Sequence, residues 1–220
     1  MQLRYVVFDL DRTLVRSDHL PAAWERACHA NGVSAERGMA ALHQHMGMPA
    51  AEIFALLGVP DPRAAAEQFN EAMEAAPPVA FPGADAALRQ LAAHGVRMFL
   101  STGSHPPLMH KVLVQHNWQT LFAVALGTSA TANKGLEHYR RFSADDDAFG
   151  SHALAVGDGT HDMLFAAQAG VRWRCGISGG DQRLAEQLAG AGANLMVDTV
   201  ADLPELLFDM QLLHADSVRS

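Results

Sequence analysis
The chain has 220 residues, 49% of them hydrophobic, with 16 Lys and Arg against 24 Asp and Glu for a formal net charge of −8. That length holds one domain or a core with a modest insert, and the apolar share is ample for a globular core. The negative balance, with no Lys/Arg-rich cluster to offset it, argues against nonspecific nucleic-acid binding, and no run of about 18 apolar residues is present to span a membrane.

Met1 to Arg4 leads straight into apolar sequence with no charged and apolar leader, so a cytoplasmic location is expected. Cys28 and Cys175 lack metal-ligand spacing and read as reduced, partly buried thiols. Tyr5, Val6, Val7 and Phe8 are β-branched or aromatic without polar alternation, which predicts a strand buried on both faces. Asp9 and Asp11 leave its carboxyl end, the edge where ligands bind in an open parallel sheet. Two carboxylates two residues apart repel unless a cation sits between them or one is protonated, and a hard cation meets that need. A pair of solvated acids in a turn is the alternative.

Between residues 17 and 80 apolar residues recur at helical spacing and β-branched runs disappear. Helices are expected over Pro21 to Ala30, Ala35 to His45, Ala50 to Leu57 and Pro62 to Ala76, each stopped by a Gly or Pro signal. From Phe81 helix and strand alternate: a helix from Ala84 to Ala93, a strand from Val96 to Leu100 running into Ser101-Thr102-Gly103, a helix from Pro107 to His116 and a strand from Phe122 to Leu126. The Lys134 segment follows, then a strand from His152 to Val156, a helix from Thr160 to Ala169 and a strand from Val171 to Gly176. A short edge strand at Leu195 to Val197, a closing helix from Asp202 to Leu213 and a frayed end from Ala215 to Ser220 complete the chain. Repeated β-then-α units predict an α/β fold with a doubly wound parallel sheet.

The second apolar strand runs into Gly157-Asp158-Gly159 with Asp162 four positions after Asp158, in the first turn of a helix, where negative charge is favoured. The order Asp9-x-Asp11-x-Thr13, then Thr102 with Ser101 as fallback, then Lys134, then Asp158 and Asp162 resembles the haloacid dehalogenase superfamily over nearly the whole chain. The insert after the first acids resembles the helical cap of one large branch, and Phe81-Pro82-Gly83 its return to the core. The resemblance therefore implies a core of residues 1–16 and 81–220 and a cap of residues 17–80, with phosphoglycolate phosphatase-like enzymes nearest. Two departures stand out. Arg12 occupies a position where the family most often has glycine, and Gly135 follows Lys134 where that branch usually has proline.

What the resemblance implies is a Mg²⁺-dependent phosphatase acting on a small phosphorylated metabolite. Asp9 would attack phosphorus and form an aspartyl-phosphate, dividing one displacement into two. Asp11 would act as general acid and base, a role worth roughly 10² to 10⁴ in rate. Members that dehalogenate lack this second acid. Mg²⁺ would be held by Asp9, the backbone carbonyl of Asp11 and Asp158. Thr102, Gly103 and Lys134 would bind phosphoryl oxygens, with Lys111 the competing lysine. Asp162 is expected behind the metal ligands, orienting water or Lys134. Thr13 would hold the two acids in register.

Arg12, in solvent or facing an anionic substrate, is a candidate for substrate selectivity, with His45 and Met48 of the 45–49 loop. His161 draws notice because it lies between two acids. A sugar phosphomutase of the same branch and a noncatalytic binding protein on the same fold are the alternatives. The expected partner is a small phosphate ester, with no nucleic acid or membrane, for a monomer or homodimer. Which ester is bound has no readable code in the cap sequence.

Overall fold
The computed structural model describes residues 2–45, 47–129 and 132–213. Met46 and the expected frayed end, Ala215 to Ser220, lie outside the described residues. The elements in chain order are β1 (Tyr5–Phe8), β2 (Val15–Arg16), α1 (Leu20–Ala30), α2 (Ala35–Gln44), α3 (Ala50–Leu56), α4 (Pro62–Ala75), β3 (Val79–Ala80), α5 (Ala84–Ala93) and β4 (Arg97–Thr102). They continue with α6 (Pro106–Gln115), β5 (Phe122–Gly127), α7 (Leu136–Phe142), β6 (Ala153–Gly157), α8 (Thr160–Gln168), β7 (Trp173–Ile177), α9 (Gln182–Gly190), β8 (Leu195–Val197) and α10 (Leu203–Asp209).

Six strands form one sheet in the order β5-β4-β1-β6-β7-β8, and every pairing is parallel. This is the expected doubly wound α/β fold. All four residues of β1 are buried because the strand is central, paired on both sides and covered on both faces. Alternate residues feed opposite faces. Val6, Phe8, Met98, Leu100, Leu154 and Val156 join one apolar cluster with residues of α5, α6 and α10. Tyr5, Val7, Phe99, Ala153 and Ala155 join the other with Tyr139, Phe142 and Ala166 of α7 and α8.

The helices α1 to α4 enclose a cluster of their own around Trp24, Ile53, Phe54 and Ala65. Trp24 stacks on Phe54 with ring centroids 4.5 Å apart and donates its indole N–H to the Gly38 carbonyl at 2.8 Å. Ser34 and Asp61 cap the starts of α2 and α4 by accepting from Arg37 and Ala64 N–H groups. The group is tied at its base by the antiparallel ribbon of β2 and β3, where Val15 faces Ala80 and Arg16 faces Val79.

The ribbon was not anticipated, since two-residue strands show no periodicity, and the short helices α7 and α9 were missed as well. The closing helix is also shorter than expected. It stops at Asp209 because the chain turns through Gln211 at φ +56°, which brings Leu212 and Leu213 back into the core.

Gly38 lies inside α2, where alanine would ordinarily be favoured by about 0.5–1 kcal/mol. A methyl group there would meet Cys28 Cβ at 3.2 Å and Trp24 Nε1 at 3.4 Å, and would overlap Cys28 Sγ. Gly38→Ala should therefore destabilise by about 1–3 kcal/mol in urea denaturation, with much of the loss recovered in the Cys28→Ala background. Stabilisation by the single change would show that the α1–α2 contact is looser than it stands here.

Candidate active site
Phe8 aligns with Leu100 of β4 and Val156 of β6, so the residues that follow emerge together at the carboxyl edge: Asp9, Ser101-Thr102 and Gly157-Asp158. Asp9 N–H extends the ladder to the Val156 carbonyl at 2.9 Å before the chain turns, and its side chain is buried. The turn is closed by Arg12 N–H to Val15 O at 2.7 Å and Leu14 N–H to Leu10 O at 2.9 Å. Thr13 is buried within it. Its hydroxyl donates to Asp9 Oδ2 at 3.2 Å and accepts the Asp158 N–H at 3.1 Å, which ties the two acidic loops together.

Lys134 enters from the loop before α7. Its ammonium, 6% exposed, lies 2.6 Å from Asp9 Oδ1, 2.8 Å from Asp162 Oδ1 and 3.2 Å from His161 Nε2. Three N–H donors thus meet three acceptors. Burial alone would depress the lysine, but Asp162 and Asp9 outweigh it and hold Lys134 above its ordinary range. Burial works to raise Asp162 too; Lys134 and the Gly159 N–H at 3.1 Å keep that carboxyl below its ordinary value. His161 is pushed down by burial and by Lys134 against the pull of Asp162, so the neutral ring accepts from the ammonium.

Oxygens of Asp9, Asp158 and Asp162 all lie within 4.8 Å of one another. Burial raises Asp9 well above the usual carboxylate range, with Lys134 opposing and the neighbouring acids adding to the rise. Burial likewise pushes Asp158 up to about 6, with Arg12 opposing. Four carboxylates at this edge face two cationic side chains, Lys134 and Arg12. The donor set is all oxygen and carries excess negative charge, which suits a hard divalent cation and fits Mg²⁺.

Asp11 is oriented differently from the other acids. Its carboxylate accepts from the hydroxyls of Ser17, Thr102 at 3.1 Å and Ser104 at 2.7 Å. Thr102 therefore reaches the acid edge, whereas the Ser101 hydroxyl is directed to His138 Nδ1 at 2.8 Å in the interior. Lys111 is remote from the acids and pairs with Glu74 at 2.6 Å. The Arg12 side chain is 68% exposed, and its Nε lies 3.3 Å from Asp158 Oδ2.

In the 45–49 loop Met48 packs against the Trp24 cluster and His45 closes α2, while Lys134, Gly103 and Thr128 are met by Gly47. Its carbonyl accepts from Thr128 Oγ1 at 3.1 Å, and at φ +90° a Cβ would stand only 3.5 Å from Lys134 Cβ. Gly103 faces the same glycine. Thr128, Ser104 and Gly47 are site residues that the sequence reading missed. Gly47 had looked like a helix stop, and the two hydroxyls carry no motif; only the folded edge brings them in.

Asp158 yields a pH test. Below about pH 3 the carboxyl is largely protonated in folded and unfolded chains alike, and it adds little to the dependence on pH. As pH rises toward about 6 the unfolded chain ionises first, so the native state loses stability, and the penalty is constant above that. Asp158→Asn should thus be more stable than the parent by about 1–3 kcal/mol at pH 7.5 in chelator, with the difference shrinking toward zero near pH 3, by chemical denaturation. A variant less stable at pH 7.5 would mean that Arg12 stabilises the ionised acid more than burial disfavours it.

The family model of haloacid dehalogenase-like hydrolases matches residues 6–174. Among solved structures, a hydrolase from Pseudomonas syringae superposes with a TM-score of 0.78 at 21% identity, covering 96% of this chain and 99% of its own. A predicted phosphoglycolate phosphatase from Haemophilus somnus gives 0.76 at 18% identity, covering 94% and 98%. L-2-haloacid dehalogenase from Xanthobacter autotrophicus gives 0.67 at 16% identity, covering 95% and 100%. No curated protein matches the chain. At such identities the structural likeness establishes the fold, and among the described residues no helix is long and apolar enough to cross a membrane. With its acids, lysine and hydroxyl gathered at one sheet edge and the family model matching most of its length, the chain belongs to the haloacid dehalogenase-like hydrolases.

Proposed function
We propose that the protein is a Mg²⁺-dependent phosphatase that hydrolyses a small phosphorylated metabolite through an aspartyl-phosphate. The observation that carries this reading is the unlike seating of two acids on one strand end: Asp9 against Lys134, Asp11 among three hydroxyls. Acids in unlike surroundings suit unlike roles. Asp9 attacks phosphorus as the ester P–O bond breaks, and Asp11 gives its proton to the leaving oxygen. Asp11 then takes a proton from the water that attacks phosphorus, releasing inorganic phosphate and restoring Asp9.

The Gly103 N–H is a donor for the phosphoryl oxygens, joined by Lys134 as it gives up one of its three present acceptors and by Thr102 once its hydroxyl turns from Asp11. Asp162 and His161 position Lys134. The residues that would hold the metal are Asp9, Asp158 and the Asp11 carbonyl, where the ion would neutralise charge between nucleophile and phosphate. Residues 17–80 act as a lid on a core of residues 1–16 and 81–220, closing over a substrate whose chemistry is that of a small phosphate ester. Asp11 is what favours esters over haloacids, which need no leaving-group proton.

Asp9→Asn should stay folded and lose nearly all hydrolysis of an aryl phosphate, since the isosteric amide cannot attack. Asp11→Asn should lose less on an aryl ester with an acidic leaving group than on an alkyl ester. Substantial turnover by folded Asp9→Asn would show that water attacks directly. In a separate assay, chelator should abolish activity, with Mg²⁺ restoring it and Ca²⁺ restoring it poorly because its larger shell draws both oxygens of a carboxylate. Full activity in chelator would remove the metal from the reading.

A further inference from the structure
The cluster contains two counter-ions of opposite character. Lys134 is buried, has all three N–H donors engaged, and is anchored by its backbone N–H to Thr128 Oγ1 at 3.0 Å. Arg12 is the reverse: 68% exposed, on a long flexible stem, touching only the rim of the cluster through one 3.3 Å contact. The acids divide accordingly. Asp9 and Asp162 are each held by Lys134 and by a further donor, Thr13 and Gly159 respectively. Among the described residues, the side chain that pairs with the Asp158 carboxylate is Arg12.

The backbone adds a second observation. Arg12 sits at φ +63°, a conformation that costs a residue with a Cβ and is free to glycine. The turn that imposes it is closed by the Arg12 N–H to Val15 O bond, and this geometry sends the side chain across to the Asp158 loop. A cationic side chain thus stands against an acid that a divalent ion would need, on a stem able to leave.

Resting on the metal reading above, we propose that Arg12 is a displaceable counter-ion of Asp158, which Mg²⁺ must replace in order to bind. Arg12 therefore sets the cation affinity of the site. The two charges compete for one carboxylate, and the guanidinium repels the incoming dication as well. Displacement returns the guanidinium to water, to which its 68% exposed side chain is already open, and the dication takes over the charge pairing of the more buried Asp158.

The test is calorimetric titration of Mg²⁺ into the parent chain, Arg12→Gln and Arg12→Gly, with circular dichroism to establish that each is folded. Glutamine removes the charge while keeping a polar side chain and the strained φ; glycine removes charge and strain together. Both variants should bind Mg²⁺ about three- to tenfold more tightly than the parent. Equal or weaker binding in the variants, with saturable binding to the parent, would overturn the counter-ion role and leave the metal reading intact. Tightening in Arg12→Gly alone would assign the effect to loop strain and overturn it as well. No saturable Mg²⁺ binding to any of the three would remove the metal site and this proposal together.

Discussion
A single buried ammonium holds the acid edge together. Without Lys134, Asp9 and Asp162 would be two desolvated carboxylates with no positive charge between them, a situation proteins avoid by protonation or unfolding. With it, each carboxylate has a charge-assisted hydrogen bond, and the third N–H of the lysine is taken up by neutral His161. The arrangement removes the worst repulsion without neutralising the site. Four carboxylates against Lys134 and Arg12 leave excess negative charge, and that is what makes the edge suited to a cation.

The sheet makes this placement reproducible. Parallel strands in register deliver Asp9, Thr102 and Asp158 to one edge, because Phe8 pairs with Leu100 on one side and with Val156 on the other. The apolar residues below them anchor the strands on both faces, so the polar groups sit on rigid supports. Thr13 then links the loop after β1 to the loop after β6 by donating to one acid and accepting from the backbone of the other.

The helical segment is connected to this edge at three points of different chemistry. Gly47 meets Gly103 and receives a hydrogen bond from Thr128, Ser17 donates to Asp11, and Glu74 of α4 pairs with His105 and Lys111 at α6. Thr128 has a notable position among them. Its hydroxyl accepts the Lys134 N–H and has two carbonyls within donating reach, Gly47 at 3.1 Å and Thr102 at 3.3 Å. One side chain therefore touches the helical loop, the lysine and the hydroxyl-bearing strand. Lys111, which from sequence competed for the site, is placed instead in the Glu74 contact.

The sequence by itself determined the architecture, because burial on both faces forces a continuous apolar run such as Tyr5–Phe8 and because helix stops are written locally in Gly and Pro. It also displayed the acids, since Asp9 and Asp158 follow directly on strands, Asp11 lies in the turn after Asp9 and Asp162 opens a helix. Partnerships between distant residues were not legible. Lys134 and Asp9 are 125 positions apart, and beside the resemblance the chain favours Lys134 over Lys111 only through the place of Lys111 in mid-helix. Ser104, Thr128 and Gly47 carry no periodic or charged signal, and Arg12 looked like a solvated exception to a glycine. Only the tertiary structure decided these, because electrostatic and hydrogen-bond pairing depends on distances of about 3 Å that the register of the sheet creates and local sequence does not encode.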